Sequence, residues 1–174
     1  MIILIACIAT AIAAVASAEQ KKAAMPGPYL PPQKVEAMMK MMMTMPPDSL
    51  EASVERGKKI FNDTSLGNNK TGLSCNICHP NGGTVGGTAQ MEWKGTTMNP
   101  KIPTLQGAAA HFPAPRGPMS AVVTLKGMNN MCIMTFLKGT PLDENSQEST
   151  DLSAYVTSFG KGAPLSPGQP PTVP

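Results

Sequence analysis

The sequence predicts an all-α domain. Apolar residues recur at helical spacing in three separate stretches, and no stretch shows the strict alternation of a half-buried strand. Proline and glycine, 18 and 16 of 174 residues, crowd the segments between and cut the chain into short elements joined by long loops. Aromatic residues make up only 4%, so side chains alone supply little material for a core. A small domain so composed is expected to need a staple.

The elements follow in order. Residues 1–18 form an apolar run ending in Ala16-Ser17-Ala18, the small-x-small pattern of a signal peptidase site, and are too short for a comfortable membrane span. Export to the periplasm or secretion is therefore expected, although no Lys or Arg precedes the run. Leu4-Ile5-Ala6-Cys7 looks like a lipoprotein box, but its apolar run lies after the cysteine, which favours a cleaved signal. Residues 19–47 read as a Pro/Met-rich extension. Within it Val35, Met38, Met39 and Met42 give a helical face over 33–45, stopped by Pro46-Pro47.

A second helix is expected near Asp48, where Asp48-Ser49-Leu50-Glu51 offers an acceptor followed three residues later by Glu. Leu50, Val54, Gly57 and Phe61 form its apolar face. The stretch 62–74 reads as loop, 80–95 has no defensible period, and Pro100, Pro103, Pro113, Pro115 and Pro118 forbid a long helix. A short helical segment fits 104–111. A third helix fits 124–137, with Gly139 as terminator, and a last one fits 149–159, with Leu152, Tyr155, Val156 and Phe159 on one face. The domain thus spans 48–162, and 163–174 is a Pro-rich tail expected to be disordered. The net charge of +3, without any basic run, gives no support to nucleic acid or anionic membrane as a partner, and no transmembrane span is expected in the mature chain.

The chemistry concentrates at Cys75-Asn76-Ile77-Cys78-His79. In Cys-x-x-Cys-His each thiol adds across a haem vinyl group to form a thioether, and the adjacent imidazole lies under the iron as proximal ligand. A thioredoxin-type pair needs a βαβ setting that this chain lacks. A zinc site drawn from Cys75, Cys78, Cys132 and His111 lacks the second tight ligand pair that such sites show. One covalent haem c is expected, held by Cys75 and Cys78 with His79 on the iron.

Gly57 and Phe61 on one helix, and Leu152 and Tyr155 on the last, allow a close crossing in which an aromatic packs over the glycine. This resembles class I cytochromes c, and the resemblance covers 48–162. It implies a cytochrome c-like fold of about four short helices around one covalently bound haem. The second half is similar to the catalytic domain of thiosulfate dehydrogenases and related sulfur-oxidising cytochromes. The matching stretches are Ile102-Pro103-Thr104-Leu105-Gln106-Gly107, His111-Phe112-Pro113, Val123-Thr124-Leu125, Asn130-Met131-Cys132, Lys138-Gly139-Thr140-Pro141-Leu142 and Leu152-Ser153-Ala154-Tyr155. That resemblance implies Cys132 as the distal ligand.

The residues themselves leave the distal ligand open. Met128, Met131, Cys132 and Thr135 share a face at i, i+3, i+4 and i+7. Cys132, Met128, Met131 and Met134 are the candidates on that helix, with Met119 and His111 next in line. Cys132 is also the odd thiol of the mature chain, so it reads equally as a buried free thiol or half of an intermolecular disulfide.

The sequence departs from the sulfur enzymes around Cys132. Met128 stands where they carry an arginine, Phe136 where they carry a small polar residue, and there is a single Cys-x-x-Cys-His. Arg116 and Lys126 are the nearest cations before Cys132 in sequence. An apolar, Met-rich pocket suits a stable redox couple better than an oxyanion. The expected function is single-electron transfer between other redox proteins, with a sulfur-compound-oxidising haem enzyme, or a haem subunit of one, as the alternative. Met38, Met39, Met41, Met42, Met43 and Met45 remain. Soft thioethers bind copper(I), but a flexible apolar surface packed on the domain or a partner is the stronger expectation.

Overall fold

The computed structural model describes residues 30–44, 47–116 and 121–169. The expected signal peptide, much of the N-terminal extension, Met119, and residues 170–174 of the tail lie outside them. The described residues fall into two units, divided between 44 and 47. The first holds α1 (Pro32–Thr44), a helix that buries none of its residues. Among the described residues no helix is long and apolar enough to cross a membrane.

The second unit is built on α2 (Leu50–Asn62) and α5 (Gln147–Ser158). Ser49, not Asp48, caps α2: its Oγ accepts from the Ala52 N–H at 3.0 Å. The Asp48 carboxylate is drawn instead to Arg56, at 2.6 and 3.1 Å, so the capping box read from Asp48 and Glu51 does not form. Helix α5 starts earlier than expected, where Ser146 Oγ accepts from the Ser149 N–H at 3.1 Å.

The two helices cross where Gly57 lies. A Cβ there would strike the Asp151 carbonyl and come within 2.8 Å of Tyr155 Cβ. Only glycine admits the α5 backbone this closely. Beside the crossing, Asp151 is 4% exposed and accepts from Arg56 Nε at 2.7 Å, Arg56 Nη2 at 2.9 Å, Ser53 Oγ at 2.6 Å and Gln147 Nε2 at 2.8 Å. These bonds hold its carboxyl down to about 2, Arg56 being the largest cause. Phe61 meets Tyr155 and Phe159 edge-to-face at 5.2 and 5.7 Å, and with Leu66, Ile133, Leu137, Leu152 and Val156 these rings form the core.

Small strands depart from the all-α expectation. Strands β1 (Met91–Trp93) and β2 (Thr96–Met98) pair antiparallel, as do β3 (Ala114–Arg116) and β4 (Ala121–Val123). Three residues are too few to display an alternating pattern. Lys94 and Gly95, at φ +49° and +77°, make the two-residue turn that joins the first pair. Pro115, read as a helix breaker, sits in a two-stranded ribbon opposite Val122, where a missing N–H is tolerated. The 104–111 segment is a single 3₁₀ turn, Ala108–His111. In the tail, the Ser166 and Gly168 N–H groups donate to the carbonyls of Ala110 and His111 at 2.9 and 3.0 Å.

The helix expected over 124–137 has two parts. Helix α4 (Leu125–Cys132), capped by Thr124, continues as a π turn, Ile133–Leu137. Lys138, at φ +57°, takes the left-handed terminating position assigned by sequence to Gly139. Gly139 is needed for space instead: a Cβ there would lie 2.8 Å from the Leu66 carbonyl oxygen.

Candidate functional site

Cys75 and Cys78 lie one turn apart on α3 (Cys75–Cys78), a helix of that single turn. The His79 N–H closes the turn onto the Cys75 carbonyl at 2.9 Å, and the chain then leaves helical geometry at His79. Asn76 fixes the exit by accepting the Asn81 N–H at 3.1 Å, with Asn81 at φ +50°. Gly82 then presses on α5, since a Cβ there would enter the Phe159 ring. Its carbonyl accepts from the Leu105 N–H at 2.8 Å and from Thr104 Oγ1 at 3.3 Å. The motif is thereby tied to the terminal helix on one side and to the 102–107 segment on the other.

The Cys75 thiol packs against the core, and burial pushes it up to about 12, with negative charge on Cys132 or Cys78 adding to the effect. Such a thiol carries almost no thiolate near neutral pH and so resists oxidation. Burial also lowers the His79 pKa, against an opposing pull from the backbone of Gly83 and Pro103. Its Nδ1 is buried without a hydrogen bond, an orphaned polar atom of the kind that a bound group would satisfy. The imidazole is therefore held neutral, the form that ligates.

Helix α4 holds the remaining candidate donors. Met128, Met131 and Cys132 are half-buried at i, i+3 and i+4, whereas Met134 is exposed. Thr135 lies in the π turn, whose wider pitch takes it off the α-periodic face assigned to it. Cys132 stands near enough to Cys75 for its charge to disfavour the Cys75 thiolate. None of Cys75, Cys78 and Cys132 is in a disulfide. His111 is turned toward the tail, its Nδ1 3.1 Å from Ser166 Oγ. Among the described residues no three His, Cys, Asp or Glu side chains gather to hold a metal ion by themselves.

Two thiols on one turn with an imidazole beside the second, its Nδ1 orphaned, form a donor set that fits a haem.

No protein-family model and no curated protein sequence matches the chain. Among solved structures it is similar to a thiosulfate dehydrogenase from Marichromatium purpuratum in its as-isolated form, with a TM-score of 0.50 and 19% identity, over 71% of this chain and 26% of that one. The likeness is one of fold. The helix-rich second unit with its small hairpins is consistent with a cytochrome c-like fold, and the chain spans about a quarter of that structure's length.

Asn130 ties α4 to the chain that follows it. It is buried, and its amide donates to the Leu142 carbonyl and accepts the Leu142 N–H, both at 2.8 Å. This double bond fixes the rotation of α4 two residues before Cys132. The signal was an asparagine inside an apolar helix, a position where that residue is unfavourable unless its amide has a task.

Proposed function

We propose that the chain is an exported monohaem c-type cytochrome that passes single electrons between redox partners. The observation that carries this reading is the α3 turn: Cys75 and Cys78 on one side of it and His79 leaving its end, with Cys132 of α4 within electrostatic reach of Cys75. Cys75 and Cys78 hold the haem as thioethers, and His79 ligates its iron from the proximal side. A bound haem c supplies a one-electron ferric/ferrous couple. Helix α4 closes the distal side. Its half-buried Met128, Met131 and Cys132 are the candidates, and Cys132, whose charge would disfavour the Cys75 thiolate, is the one favoured.

The fold likeness to a thiosulfate dehydrogenase favours a second reading, oxidation of a sulfur compound at the distal face. The surroundings of Cys132 weigh against it. Lys126 and Lys138 lie six residues to either side of Cys132; Lys126 donates to the Glu144 carbonyl at 2.8 Å and to Thr150 Oγ1 at 2.9 Å, and Lys138 ends the helix in an exposed left-handed position. Met128 and Phe136 are apolar, and an oxyanion beside them would lose hydration without compensation.

The purified protein should retain one haem after denaturation, with a thioether-type pyridine adduct, and Cys75→Ala with Cys78→Ala should be colourless. Cys132→Ala should change the ferric spectrum and raise the reduction potential, because a thiolate stabilises ferric iron. A colourless wild type overturns the haem reading. Steady turnover of thiosulfate abolished by Cys132→Ala replaces the carrier with the enzyme.

A further inference from the structure

The methionines of α1 are left without a role by the haem site. Within its own unit α1 buries no residue, and Met38, Met41 and Met42 are 45, 56 and 63% exposed. Neither does the helix have electrostatic support at its ends: no acidic residue lies in its first turn and no basic one in its last. A helix of 13 residues is marginal in water by itself. Something that links its turns would stabilise it.

The methionines divide into two sets. Met39 and Met43 lie along a shallow apolar groove with Leu30, Pro32 and Val35. Met38, Met41 and Met42 stand outside that groove at i, i+3 and i+4. At this spacing Cβ atoms are about 5–6 Å apart, and three flexible torsions let each sulfur turn toward a common centre. We propose that Met38, Met41 and Met42 form a trigonal thioether site for a soft monovalent cation, copper(I).

Three properties of the triad select that ion. Thioethers are soft donors, which suits copper(I) and disfavours zinc, magnesium and copper(II). The donors are neutral, so a monovalent ion has less hydration to lose than a divalent one. No carboxylate belongs to the triad to recruit a hard ion, and Lys34 lies one turn before Met38. Met38, Met41 and Met42 occupy one side of the helix, so their sulfurs can converge on a single ion. The proposal is independent of the haem reading, because none of its donors lies in the second unit.

The test uses the full chain with whatever haem it carries. Anaerobic equilibrium dialysis against copper(I), supplied as its acetonitrile complex, should give one equivalent bound with no change in the haem spectrum. Copper(II) without reductant should not be retained. Silver(I), a diamagnetic surrogate, should shift three methionine methyl resonances in a ¹³C-methyl-labelled protein. Met38→Leu, Met41→Leu and Met42→Leu together keep helix propensity and apolar character. They should weaken binding by more than about 100-fold, the upper end of what losing a mere supporting contact costs. Met39→Leu with Met43→Leu should bind as wild type does. Absence of copper(I) binding by the wild type, or equal binding by the triple variant, overturns the proposal. Haem content is read separately, so a failure of the haem reading stays distinguishable.

Discussion

Gly57→Ala sets helix propensity against packing, and the two predict opposite signs. In an exposed helix the exchange gains about 1 kcal/mol. In this protein the new Cβ would lie 2.6 Å from the Asp151 carbonyl carbon and 2.8 Å from Tyr155 Cβ, and closer still to the carbonyl oxygen. Carbon contacts settle near 3.5–4.0 Å, so α2 and α5 must separate by roughly 1 Å. The groups in the way are backbone and a Cβ, which have no alternative rotamer. Overpacking of this kind costs about 1–3 kcal/mol. The separation also stretches the bond from Ser53 to Asp151, now 2.6 Å, and a hydrogen bond to a charged group contributes about 1.5–3 kcal/mol. The expected net loss is about 2–4 kcal/mol, a large fraction of a typical domain's stability. Guanidinium denaturation of the intact protein, followed by far-UV circular dichroism, measures it. A variant as stable as wild type, or more stable, refutes the close crossing.

Two further outcomes follow from buried polar groups. Asn130→Ala leaves the N–H and carbonyl of Leu142 unmet and should cost about 2–3 kcal/mol; a ferric haem spectrum altered in Asn130→Ala but not in a surface variant of equal stability loss would mark it as a positioning residue for α4. The Asp151 carboxyl is depressed from 3.8 to about 2, so its stabilisation is fully present above 3.8 and is lost as pH falls through about 2. Asp151→Asn should therefore be less stable near neutral pH and change less across that window, which acid titration of both proteins by circular dichroism checks.

What the sequence reveals and what it hides divides by the range of the interaction. The α3 turn is local: five contiguous residues carry its chemistry, and their spacing alone sets the two thiols one turn apart. The Gly57 crossing is long-range yet still legible, because a glycine among apolar residues at helical spacing has few other uses. The hairpins were not, since strands of three residues fall below any detectable period and their turn signal, Lys94-Gly95, is weak without φ values. The N-cap of α2 went to Ser49 because Arg56 claims Asp48, a competition between residues eight apart that local pattern does not register.

The distal side depends on the least legible features of all. Which residue of α4 faces the site is set by the rotation of that helix, and the rotation is set from outside it. Asn130 grips Leu142, twelve residues on, and the π turn that follows Cys132 shifts every later residue off the α-helical wheel. A 3.6-residue period drawn through 124–137 holds for Met128, Met131 and Cys132 in α4 but not across the π turn that contains Thr135. Within the part of the helix where the period holds, Cys132 is the position whose charge is felt at Cys75. The ferric spectrum of Cys132→Ala tests Cys132 as the distal ligand, because loss of a ligating thiolate would change it.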